Sequence, residues 1–312
     1  MNPFQKTAIT TLIAVLILIA VGSLVRVSGA GLGCPDWPRC WGCWFPPSGP
    51  SEIDPAYLAE RGLNIADFNP VKMWIEYINR LVGVTIGLLI IATFLRSFPY
   101  RKTQPEIFWG SLVSLALVIF QGWLGGQVVR SGLQPGIITL HMILAIVLLC
   151  LLLYVTFQAF STVLAIQIDS PVRRRLTATT ALLFGVICLQ TLLGTQVREA
   201  IDPYIKDAEG LSRSAWIENV GWMDHLHRSF TWLVVAAILF LLYTIKTHCI
   251  QGILRTLSYL VLGLIVAQTI FGIALAYGGL PHFFQVLHLS TATALICGVY
   301  VLLLTIRQTH MQ

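Results

Sequence analysis

The sequence predicts an all-α integral membrane protein of eight transmembrane helices, built as two parallel-repeat four-helix bundles. Three observations predict this class. Of 312 residues, 56% are hydrophobic and only 11% are charged, with mean hydropathy +0.78. A soluble domain carries about 25% charged residues, so lipid must solvate much of this chain. Eight apolar runs are each long enough to cross a bilayer. The second half of the chain also repeats polar landmarks of the first.

The runs are 7–25, 73–95, 107–129, 136–160, 176–197, 223–245, 256–277 and 283–306. About 20 apolar residues cross ~30 Å of hydrocarbon as a helix, the geometry that satisfies every backbone polar group internally. The first run exceeds a signal-peptide core, and no small-x-small cleavage site follows it, so it reads as a retained membrane helix with no separate targeting segment. The net charge of +6 does not point to nucleic acid, because the cations sit in short connections between apolar runs. One side carries ten of them, from Lys6 to Arg307, against the acids Glu106 and Asp169. The other carries eight cations and ten acids, mostly in two longer loops, 26–72 and 198–222. The positive-inside rule places the first side, with both termini, in the cytoplasm of a cell (inner) membrane.

Glu76-Tyr77-Ile78-Asn79-Arg80 recurs as Asp224-His225-Leu226-His227-Arg228, an offset of 148 from 76 to 224. Gln121, Gly125 and His141 recur as Gln268, Gly272 and His288, an offset of 147 from 141 to 288. Four crossings return a chain to its starting side, so the halves 1–160 and 161–312 form a parallel repeat. Helices one and five match more weakly, through Val25-Arg26 and Val197-Arg198. Asn79, His141, His227 and His288 each fall about four to seven residues into a helix that starts on the outer side, ~6–10 Å deep at 1.5 Å per residue.

Polar groups at that depth are costly and usually functional. His227 and His288 suit heme iron as paired neutral imidazoles inside a bundle; the alternative is a histidine that packs and bonds a neighbour. Arg80, Arg228, Arg26 and Arg130 suit heme propionates, or else snorkel to headgroups. Glu76 shares a helix face with Asn79 and suits proton transfer, or else pairs with Arg80. The pattern Gln-x-x-x-Gly occurs at Gln121/Gly125, Gln190/Gly194 and Gln268/Gly272; small residues of this kind allow close helix approach or room for a flat macrocycle. In the outer loop, Cys34, Cys40 and Cys43 permit a disulfide such as Cys34–Cys40, or a redox-active Cys40-x-x-Cys43. No histidine follows Cys43, which argues against covalent heme attachment.

Taken together, Val25-Arg26, Ser28-Gly29-Ala30-Gly31, Cys34-Pro35-Asp36-Trp37-Pro38, Cys40, Trp74-Ile75-Glu76-Tyr77 with Arg80, Leu140-His141, Asp224-His225-Leu226-His227-Arg228 and Leu287-His288 resemble the heme A synthase (CtaA-type) family over nearly the whole chain. The resemblance implies an oxidoreductase that converts heme o to heme A for cytochrome oxidase, oxidising a ring methyl to a formyl through successive hydroxylations. It implies a resident heme b in the C-terminal half on His227 and His288, with Arg228 beside it. The N-terminal half would receive the substrate heme, with His141 an axial ligand, Glu76 the essential carboxylate, and Asn79, Arg80, Arg26 and Arg130 around it. A Cys34–Cys40 disulfide is implied as well. Expected partners are heme o and membrane lipid, with heme o synthase, oxidase assembly factors and a second copy of the chain as further candidates, and no nucleic acid. The chain departs from the family at Asn79, where the family has a heme-ligand histidine; the N-terminal heme would then rest on His141 alone, or on His141 and water. A non-catalytic heme-binding or heme-transfer protein for oxidase assembly is the alternative.

Overall fold

A computed structural model describes residues 1–160, 167–206 and 213–311. Its helices are α1 (Pro3–Val27), α2 (Pro55–Arg61), α3 (Pro70–Arg96), α4 (Pro105–Arg130), α5 (Pro135–Phe160), α6 (Ser170–Lys206), α7 (Arg213–Val220), α8 (Trp222–Thr247), α9 (Ile253–Tyr277) and α10 (His282–Arg307). Among the described residues, eight of these are long and apolar enough to cross a membrane, all but α2 and α7. The chain is a multi-pass membrane protein.

Helix starts follow local chemistry. Proline stands at the first position of α1, α3 and α4, where its missing N–H costs nothing. Asn2 and Gln5 form a capping box on α1, and Asn69 accepts from the Lys72 N–H at the start of α3. These caps satisfy amides that the first turn leaves orphaned. Inside the spans, hydroxyls bond back to the carbonyl four residues earlier, as at Thr93, Ser111 and Thr156, so each carries its own partner into the apolar layer. Thr11 and Thr93 also meet at 2.9 Å between α1 and α3.

The chain divides into two compact units, Met1–Thr156 and Phe157–Gln312. In the first, α3 packs against both α1 and α4, and α4 meets α5 closely enough that a Cβ on Gly110 would come within 2.5 Å of Val155. The loop after α1 is not a flexible connection. Cys34, Cys40, Trp41, Ile53 and Met73 form a small buried core of their own, flanked by Tyr57, Leu58, Leu63, Phe68 and Tyr77. In the second unit α6, α8, α9 and α10 pack pairwise into a closed ring, and a two-residue parallel pairing joins Gln167–Ile168 (β1) to His310–Met311 (β2).

The fifth span differs from expectation. It was expected to end at 197, yet α6 continues to Lys206 and α7 occupies part of the loop expected at 198–222. The reason is tertiary burial: Ile201 and Tyr204 of the extension, with Val197 at the expected end, pack with Trp216, Ile217 and Leu280. Helix persists past the apolar run because it still has a face to bury. Residues 207–212 of that loop, and 161–166 just after the sequence-based boundary at 160, lie outside the described residues.

Candidate functional site

In the first unit, α3 carries Met73, Glu76, Asn79 and Arg80 on its first three turns. Glu76 is 3% exposed. It accepts the Cys34 backbone N–H at 2.8 Å and pairs with Arg80 one turn on. The Arg80 guanidinium is fully committed. Its Nε donates to Glu76 Oε1 at 3.1 Å. Nη1 donates to the carbonyls of Asp36 and Arg39, both at 2.8 Å. Nη2 donates to the Cys34 carbonyl at 3.0 Å and to Glu76. A guanidinium has five N–H donors, and all five are engaged. Arg80, expected to face a propionate, therefore has no donor left for one and instead clamps the loop after α1 to α3. Sequence gave no sign of this, because its partners are mostly backbone carbonyls.

The loop itself is closed by a Cys34–Cys40 disulfide, both cysteines fully buried. Cys43 keeps a free thiol, although it pairs backbone to backbone with Cys40 at 2.8 and 3.1 Å. Trp41 and Gly42 between them have φ of 54° and 80°, the left-handed pair that makes a tight hairpin turn and favours glycine. Asp36 holds that turn by accepting the Trp41 and Gly42 N–H groups at 2.7 and 3.0 Å. Trp37 lies on α4, where a Cβ at Gly126 would come within 2.8 Å of its ring. Arg130 stacks on the same indole at 5.7 Å and donates to the Trp37 carbonyl. Arg26 sits half-buried in the last turn of α1.

Three histidines share one kind of seat. A Cβ on Gly125 would lie 3.5 Å from Cε1 of His141, one on Gly194 3.1 Å from that of His227, and one on Gly272 3.4 Å from that of His288. The glutamine one turn before each glycine bonds the same histidine. Gln121 donates to the His141 carbonyl at 3.0 Å. Gln190 donates to the His227 carbonyl at 3.3 Å and to Thr231 at 2.9 Å. Gln268 meets Nε2 of His288 at 3.2 Å. The Gln-x-x-x-Gly pattern was visible in sequence as a packing motif; that each copy serves one histidine on a neighbouring helix emerges only in three dimensions.

In all three rings Nδ1 is buried without a hydrogen-bond partner. Leaving a buried polar atom unsatisfied costs about 1–3 kcal/mol, which a bound group can recover. His227 and His288 lie within electrostatic reach of each other. Neutral imidazole pairs are a donor set that fits heme iron, and each of these glycines leaves room for the ring of one histidine. Asp224, 8% exposed, pairs with Arg228 at 2.6 Å. Arg228 is 39% exposed and its guanidinium lies 5.8 Å from the Tyr277 ring centre.

The COX15-CtaA family model, described as cytochrome oxidase assembly protein, matches residues 5–300. The chain is similar to a Heme A synthase of Shewanella oneidensis, 27% identical over 312 residues, with 92% of this chain and 91% of the relative covered. It is also similar to a Heme A synthase of Shouchella clausii, 25% identical with 86% and 85% covered. A Heme A synthase of Flavobacterium johnsoniae is 25% identical, with 76% and 78% covered.

Proposed function

The chain belongs to the COX15-CtaA family of cytochrome oxidase assembly proteins, and we propose that it acts in heme A biosynthesis as a membrane oxidoreductase. Its substrate in this reading is heme o and its product heme A, formed by oxidising one ring methyl to a formyl, with the four electrons passing to an external acceptor and the oxygen atom entering from dioxygen or water. The C-terminal unit holds a resident heme b through His227 and His288, with the half-exposed Arg228 available to a propionate. The N-terminal unit receives heme o on His141. A bound heme b supplies a one-electron redox centre. Glu76, fixed by the Cys34 N–H and Arg80 and one turn from Asn79, holds or passes a proton at its carboxylate. Arg26 and Arg130 stand at the outer ends of their helices, where they can meet substrate carboxylates. Both termini face the cytoplasm of the inner membrane, as the loop charges suggest.

The observation that carries this reading is the set of glycine-seated imidazoles with orphaned ring nitrogens, two of them in the C-terminal unit. The test is expression beside a heme o supply, followed by pigment extraction. Heme A or its hydroxylated intermediate is the expected product. Bound heme b without either pigment would favour heme handling without catalysis. Protein carrying His227→Ala should lose the low-spin b-type spectrum; retention of that spectrum would remove the cofactor assignment.

A further inference from the structure

The histidine seats have a fourth counterpart that departs from their design. Gly22 of α1 faces α3, where a Cβ would lie 3.9 Å from Oδ1 of Asn79. The glycine is present, but the two polar partners are changed together. One turn before Gly22, where each other seat has glutamine, stands Leu18; opposite it, where each other seat has histidine, stands Asn79. A glutamine that steadies a ligand helix is dispensable once no imidazole needs steadying, so the paired change reads as one functional difference. Asn79 Oδ1 is buried and has no hydrogen-bond partner. An amide is shorter than an imidazole and lacks its basic nitrogen lone pair, yet it offers both a donor and an acceptor. The seat therefore has unused hydrogen-bonding capacity, but no strong iron ligand.

Resting on the reading that His141 holds a heme in the N-terminal unit, we infer that the Asn79 seat receives a small exogenous polar ligand of that heme, water or a small anion of the azide class, hydrogen-bonded by the Asn79 amide. Protein then ligates the iron from one side only in the N-terminal unit and from both sides in the C-terminal unit. This makes Asn79 a ligand-selecting residue and not a vestige of a lost histidine.

The test uses the full-length protein saturated with ferric heme, read by electron paramagnetic resonance and optical titration with azide. The expected wild-type result is one low-spin heme and one high-spin heme, the latter alone shifting on azide addition. Asn79→His should turn the high-spin signal low-spin without added ligand and weaken azide binding about tenfold or more, the equivalent of one charge-assisted hydrogen bond lost or a position blocked. Leu18→Gln/Asn79→His rebuilds the complete seat and should do the same if the single variant folds poorly. Two low-spin hemes in wild type, or an azide affinity indifferent to both variants, would overturn the inference while leaving the two-heme reading intact. Failure to bind a second heme, or a high-spin heme that survives His141→Ala, would overturn that underlying reading and the inference with it.

Discussion

Each unit carries an acid–arginine pair one turn apart near the N-terminus of a membrane helix, and the two pairs live in different surroundings. Glu76–Arg80 is sealed under a disulfide-closed loop whose backbone uses every remaining guanidinium donor. Asp224–Arg228 keeps an arginine side chain that is 39% exposed and rests beside Tyr277. Like chemistry at repeat-related positions thus has two physical roles. In the first unit the arginine is structural and orders the loop over the carboxylate. In the second the arginine side chain stays partly open to its surroundings.

The largest expected effect tests that contrast directly. Arg80→Ala strips Glu76 of its counter-charge and orphans three loop carbonyls, so it should destabilise the protein by about 3–5 kcal/mol, the cost of breaking a buried pair. Arg228→Ala should cost about 0–1 kcal/mol, as for a partly solvated pair. Thermal unfolding in detergent measures both, and equal losses would erase the distinction. Next in size, Cys34→Ser should lower stability by about 2 kcal/mol, from the loop-closure entropy of a short ring. Reductant should lower the wild-type unfolding temperature and leave the variant unmoved. The smallest effects grade the seats. A new methyl must displace His227 more than His288, since the approach is 3.1 Å at Gly194 and 3.4 Å at Gly272. Gly194→Ala should therefore cost about 1 kcal/mol of holoprotein stability by overpacking, with a lesser cost for Gly272→Ala. The reverse order would mean that the rings move freely in their seats.

The limits of sequence reading are visible in particular residues. The repeat of His141 at His288 was legible, because a fixed offset along one chain is a property of the sequence itself. The glycine opposite Asn79 was not, because Leu18 breaks the Gln-x-x-x-Gly pattern that marks the other three. The extension of α6 past its apolar run was also hidden, since what stabilises it is Trp216 and Leu280, distant in sequence.

By itself the sequence determined the solvent, the eight crossings and the candidate ligands, for these follow from hydropathy, length and residue chemistry along one strand of chain. The tertiary structure alone decided that Arg80 has no donor to spare and which glycine receives which side chain. Those outcomes depend on backbone carbonyls and on approaches of 3–4 Å between separate helices, and no linear pattern encodes where two helices touch.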